Sequence, residues 1–331
     1  MQDLDSKTIL DTFARHYGKR LGNVHVQTIP IDTMQGYRYE IVSPVLRGKG
    51  NYPFLLTHDR FSDHVVVLTH GLSDSPHYME AIGWRFFYAG ANVVFPLLYG
   101  HGQKYPDKAM QASHLCEKWQ SDMDQAIEVA QMLGKHISLG GLSTGGALSL
   151  NAILRHKSKI TGGLYLFAAA LEIGKLYENI GRLPLFQTFY RLKQERVIGN
   201  GPNPYKFPIF SNFSGLQLAR LIQENKRLLK NTKIKQPVFA AHSVQDISTL
   251  VSGVIELLDK HVTNGVAYLI SSIHDGQPMA HADLVLEHPI ALTTDNNPYN
   301  VPAPKANPKF DDMMCAAIRF FKGNLGSDLD C

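Results

Sequence analysis

The chain has 331 residues, enough for one large α/β domain or a core domain carrying an insertion. No run approaches the ~18–20 apolar residues of a membrane-spanning helix. The formal charge of +4 comes from scattered Lys and Arg, which excludes nucleic acid as a partner and leaves room for transient contact with an anionic lipid surface.

Three cysteines, Cys116, Cys315 and Cys331, lie far apart without a Cys-x-x-Cys pair. This argues against a disulfide framework and a structural zinc site. Cys315 falls in an apolar helical run and is expected in the core. The N-terminus, Met1-Gln-Asp-Leu-Asp-Ser-Lys, has no basic-then-apolar leader pattern, so a cytoplasmic location or an already processed chain is expected.

In chain order, Val24–Ile29 and Tyr37–Val42 alternate like two antiparallel strands. From about residue 60 to 170 strand and helix patterns alternate, as βαβ units and a parallel sheet require. Val65–His70 is a β-branched strand, and 76–89 a helix with Met79, Ile82 and Phe86 in register. Strand 91–96 leads to a Gly100-His101-Gly102 loop. Helix 117–133 carries Trp119, Met123, Ile127 and Ala130 on one face. Then come a buried strand at 136–142, a small-residue helix from Gly146, and a strand at 163–168. The alternation fails over 171–230, which reads as a helical cap inserted into the core made of 1–170 and 231–331. It contains Leu183, Leu185, Phe186, Phe189 and Tyr190, an apolar set suited to an acyl chain or to packing on the core. The core resumes with strand 237–241, helix 249–261, strand 265–270 and helix 309–322. Residues 289–307, rich in Pro and Asn, form a long irregular connection.

Gly141-Leu-Ser-Thr-Gly145 stands at the turn from strand 136–142 into its helix. A Gly-x-Ser-x-Gly turn there holds its serine exposed above a helix N-terminus, with glycines where side chains would strike the backbone. The pentapeptide arises by chance in about one chain in ten of this size, so its context carries the argument. Ser143 as nucleophile needs a base, an acid to orient the base, and two amide donors for the oxyanion, in the chain order serine, acid, histidine. Asp246 is the only carboxylate between strand 237–241 and its helix. Its other reading is a turn aspartate capping that helix. Three histidines follow the final strand: His281, which leads into an apolar stretch, is preferred, with His274 and then His288 as alternatives. The amides of Leu72, after Gly71, and of Thr144 are the expected oxyanion donors. His70 and His101 read as histidines that pack and orient loops. The fifteen histidines show no metal-ligand spacing, and no metal or cofactor is implied.

Four ordered motifs, Thr69-His-Gly-Leu-Ser-Asp-Ser-Pro76, Leu98-Tyr-Gly-His-Gly102, Gly141–Gly145 and His281-Ala-Asp-Leu-Val-Leu, resemble the α/β-hydrolase superfamily. The nearest likeness is to bacterial carboxylesterases and monoacylglycerol-lipase-like, serine-aminopeptidase-like hydrolases. The resemblance implies an α/β-hydrolase fold, a mostly parallel sheet flanked by helices with an inserted cap. It also implies Ser143 as nucleophile, Asp246 as acid, His281 as base, and Leu72 and Thr144 as oxyanion donors. Two departures stand out: Tyr99 replaces the usual proline before Gly-His-Gly, and the 289–307 loop is long. The expected activity is cleavage of carboxylic, acylglycerol-like esters through an acyl-enzyme. Thioesterase, lysophospholipase and peptidase activities share the machinery. A non-catalytic acyl-binding protein is the alternative of another class.

Overall fold

The computed structural model describes residues 5–31, 36–174, 197–271, 278–293 and 297–323. Its strands are β1 (His25–Ile31), β2 (Gly36–Val42), β3 (Phe54–Thr57), β4 (Ser62–Thr69), β5 (Asn92–Phe95), β6 (Gly134–Leu142), β7 (Leu164–Phe167), β8 (Val238–Ser243) and β9 (Gly265–Ile270). They form one nine-stranded sheet in the order β1-β2-β3-β5-β4-β6-β7-β8-β9. The β1–β2, β2–β3 and β3–β5 pairs are antiparallel, and β4 to β9 pair in parallel. This is the mostly parallel, helix-flanked sheet expected for the α/β-hydrolase fold.

Parallel strands need both faces covered, and alternation along each strand divides the core in two. Val65, Val67, Leu139, Leu164, Leu166, Val238 and Ala240 point to one side. There they meet α1 (Ser6–Leu21), α4 (Leu115–Leu133), α5 (Thr144–Arg155) and α7 (Val251–His261). Val66, Leu68, Val93, Phe95, Phe167 and Phe239 point to the other, against α2 (His77–Tyr88) and α8 (Phe310–Gly323). Helix α5 is buried on every side from Thr144 to Leu154, because α4 and α6 (Asn212–Leu229) cover the flank turned away from the sheet. A short α3 (Asp107–Met110) precedes α4.

Elements read from sequence recur with ends shifted by a few residues. The structure adds α1, whose stripe Ile9, Phe13, Tyr17 and Leu21 packs on the first face, and β3, four residues too short to show alternation. Just over a third of the expected cap, 175–196, including Leu183, Leu185, Phe186, Phe189 and Tyr190, lies outside the described residues, as does His274. Cys116 is buried, its free thiol pushed up to about 12 by that burial. Cys315, expected in the core, is half-buried on α8 and is disulfide-bonded. Among the described residues no helix is long and apolar enough to cross a membrane.

A polar cluster pins α2 to the antiparallel edge. Arg38 on β2 pairs with Glu40 at 2.7 Å and with Glu80 on α2, its guanidinium 4.0 Å above the Phe54 ring. Burial works to raise the Glu80 pKa, but the hydrogen bonds and charges of His77 and Arg38 win and pull it from 4.5 to about 2. A depressed folded-state pKa stabilises above the unfolded value, and the gain disappears as pH falls from about 4.5 toward 2. The shift corresponds to at most ~3 kcal/mol. Glu80→Gln is therefore expected to lower stability at pH 7 and to differ little from the parent near pH 2. Urea midpoints at the two pH values check it.

Candidate active site

The chain runs from β4 through α2 to β5 on one side of β4, then crosses to β6 on the other. Where strand order reverses, the loops at the carboxyl ends diverge and leave a crevice. The loop after β4 (70–76) and the turn after β6 (143) open into it.

Ser143 occupies that turn with φ 53° and ψ −114°, a conformation costing roughly 1–3 kcal/mol for a non-glycine residue. Surrounding hydrogen bonds hold it. Its N–H donates to Phe167 O at 3.1 Å, and its carbonyl accepts from Ala147 N (3.1 Å) and Ala170 N (3.0 Å). Gly145 leaves no room for a side chain, since a Cβ there would lie 2.7 Å from His70 O and inside contact with the Thr69 carbonyl. The elbow is thus pressed directly against the end of β4. Thr144 opens α5, so its amide is among the first-turn donors without a partner inside the helix. Leu72 lies in a turn closed by Asp74 N–H to Gly71 O at 3.3 Å.

Asp246 follows β8 and is buried. Its Oδ1 accepts from the Ser248 and Thr249 amides at 2.8 and 3.2 Å. Its Oδ2 accepts from His281 Nδ1 at 2.5 Å. Burial pushes the carboxyl up, but the His281 hydrogen bond and charge, with the two amides, outweigh it and hold the pKa below the ordinary value. Asp246 thus caps the turn before α7 and also pairs with a histidine. His281 begins a 3₁₀ turn, His281–Val285, and is partly exposed. Among the described residues its ring hydrogen-bonds to Asp246 and Thr249, and not to Ser143 Oγ. Nucleophile–base bonds commonly tighten only when substrate is bound. His288 is exposed on the following loop.

Two residues of this cluster were not singled out from sequence. Thr249 Oγ1 lies 3.2 Å from both Asp246 Oδ2 and Ala168 O, and 3.3 Å from His281 Nδ1. His242, fully buried on β8, donates from Nε2 to Thr249 O at 3.0 Å and stands 3.7 Å behind Asp246 Oδ2. Burial lowers its pKa and keeps the ring neutral. Nothing in the local sequence marks a threonine three residues after an aspartate, or a histidine on a strand, as part of a site.

His70 and His101 orient loops, as expected. His70 Nε2 accepts from Leu98 N–H at 3.1 Å, which leaves the proton on Nδ1 to donate to Gly71 O at 2.8 Å. Burial drives its pKa to about 4, so it remains neutral. His101, also buried and neutral, sits 4.9 Å from the His70 ring. Tyr99 explains its own departure from the usual proline. Its N–H donates to buried Asp122 Oδ2 at 2.6 Å, a bond proline lacks.

A family model described as serine aminopeptidase, S33, matches residues 61–255. The thermostable monoacylglycerol lipase of Bacillus sp. (strain H-257) is 31% identical over 171 residues, covering 50% of this chain and 64% of that protein. The chain thus spans just under two thirds of that relative's length. A structure of the metagenome-derived lipolytic enzymes LipS and LipT superposes with a TM-score of 0.63 at 17% identity, covering 83% of this chain and 98% of that one. For Paleococcus ferrophilus monoacylglycerol lipase the values are 0.54 and 18%, with 80% and 96% covered. A soluble variant of Saccharomyces cerevisiae monoglyceride lipase, in complex with a substrate analog, gives 0.56 and 13%, with 92% and 97% covered. At these identities the structural likeness is one of fold.

Proposed function

The chain belongs to the serine aminopeptidase S33 family of α/β-hydrolases, and from that membership we propose that it is a serine hydrolase of carboxylic esters, acting on acylglycerol-like substrates through an acyl-enzyme. The observation that carries the reading is the 2.5 Å hydrogen bond from His281 Nδ1 to the buried Asp246 carboxylate, on the sheet edge that presents the Ser143 elbow. The esterase and lipase names among its relatives support the ester as substrate class.

In this mechanism Ser143 Oγ attacks the ester carbonyl carbon while its proton passes to His281 Nε2. Asp246 fixes the tautomer that leaves Nε2 free to accept, and its negative charge stabilises the imidazolium. The carbonyl oxygen becomes an oxyanion held by the Leu72 and Thr144 amides. The intermediate collapses, the C–O bond to the alcohol breaks, and His281 protonates the departing oxygen. Water then attacks the acyl-enzyme, His281 takes its proton, and the acid leaves as Ser143 recovers its hydrogen.

A fluorophosphonate probe tests the reading directly. One equivalent of label is expected, mapping by mass spectrometry to the peptide containing Ser143. Absence of label, or label elsewhere, contradicts it. A panel varying acyl length and replacing oxygen by sulfur or nitrogen in the leaving group then separates ester from thioester and amide preference.

A further inference from the structure

We infer that Lys206 is a positioning residue of the oxyanion hole, acting by neutralising a buried carboxylate, Asp74, that lies against it. The inference rests on the proposed role of the Leu72 amide and adds a residue far away in sequence.

The turn Gly71–Asp74 has an unfavourable construction. Ser73 takes φ 67°, a left-handed position where glycine or asparagine is the ordinary choice. Asp74 is 2% exposed, and its carboxylate folds back over its own turn. A Cβ on Gly71 would collide with Asp74 Oδ2 and stand 3.3 Å from Ser143 Cβ. The carboxylate and the Ser143 side chain therefore border the same small space, the one a Gly71 side chain would fill. An uncompensated negative charge there would oppose the charge that develops on the carbonyl oxygen, and in a buried site such repulsion is weakly screened.

Lys206 supplies the compensation. Its Nζ is paired with Asp74 Oδ1, and it comes from a strap, 203–207, fastened to this corner of the molecule. Phe207 N–H donates to Ser73 O at 2.8 Å, Asn203 Nδ2 donates to the Tyr78 hydroxyl at 3.0 Å, and the Tyr205 ring stacks 3.6 Å from His77. The strap thus holds the strained turn by its backbone while its lysine cancels the charge beneath. Asn51 Nδ2 anchors the far side, donating to Pro204 O at 3.0 Å.

A charge role and a mechanical role predict different double-mutant behaviour. On the charge role Lys206→Met lowers kcat by on the order of 10- to 100-fold with KM changed less than about threefold, part of what losing an oxyanion donor costs. Asp74→Asn alone costs less than about fivefold. The D74N/K206M pair recovers to within about fivefold of the parent, because no charge is left to cancel, and K206R retains most activity. The rate of fluorophosphonate labelling follows kcat through the series. If K206M keeps full kcat, or the pair is as slow as K206M, the inference is wrong. Should K206M fail to fold, the pair decides alone, a loss above about tenfold overturning it. A parent protein that neither turns over esters nor takes the label instead refutes the site's reading and this inference with it.

Discussion

Ser143→Ala is expected to eliminate hydrolysis of short-chain aryl esters, with kcat falling by on the order of 10⁶ toward the background reaction. The loss is this large because in the proposed mechanism the acyl-enzyme forms and breaks at Oγ. His281, Asp246 and the two amides remain in the variant, so a residual acceleration over water of roughly 10³–10⁴ is the ceiling. Alanine inherits the unusual backbone angles of position 143, so the thermal midpoint should move little, and unchanged circular dichroism separates lost chemistry from lost fold. Turnover within tenfold of the parent would remove Ser143 from the mechanism.

Asp246→Asn should cost about 10⁴-fold in kcat at neutral pH without unfolding the site. The amides of Ser248 and Thr249 both donate to one carboxylate oxygen, which obliges an asparagine to keep its carbonyl there. Its NH₂ group then faces His281 Nδ1, which must accept, so the ring's hydrogen moves to Nε2, and Nε2 can no longer take the serine proton as the proposed mechanism requires. The carboxyl is held below its ordinary pKa, so the parent's acid limb of activity does not arise from Asp246. Steady-state kinetics against pH, with thermal denaturation as control, check both statements. A variant with parent-like kcat would assign Asp246 to capping alone.

How far the sequence revealed this arrangement depended on whether each signal was local. Val65-Val-Val-Leu declares a buried strand within four residues, and the elbow declares a turn within five. Asp246 was legible because it is the only carboxylate between strand 237–241 and its helix. His281 was preferred to His274 only on its apolar sequel, and spacing could not decide between them. Thr249, His242 and Lys206 were invisible for a common reason. Each is an ordinary residue type whose meaning comes from a partner brought by the fold, in the extreme case from 132 positions away. Helix α1 escaped because its stripe of Ile9, Phe13, Tyr17 and Leu21 is diluted among charged neighbours, and β3 because four residues cannot display a period.

The all-round burial of α5 means that this segment has no soluble existence of its own. Water-facing residues are absent from its first eleven positions, and the unusual angles at Ser143 are tolerated only while β4, β7, α4 and α6 press around them. A partly folded chain consequently offers no elbow at all. Covalent capture of the serine would then count intact molecules, so that an active-site titration of any preparation doubles as a census of its native fraction.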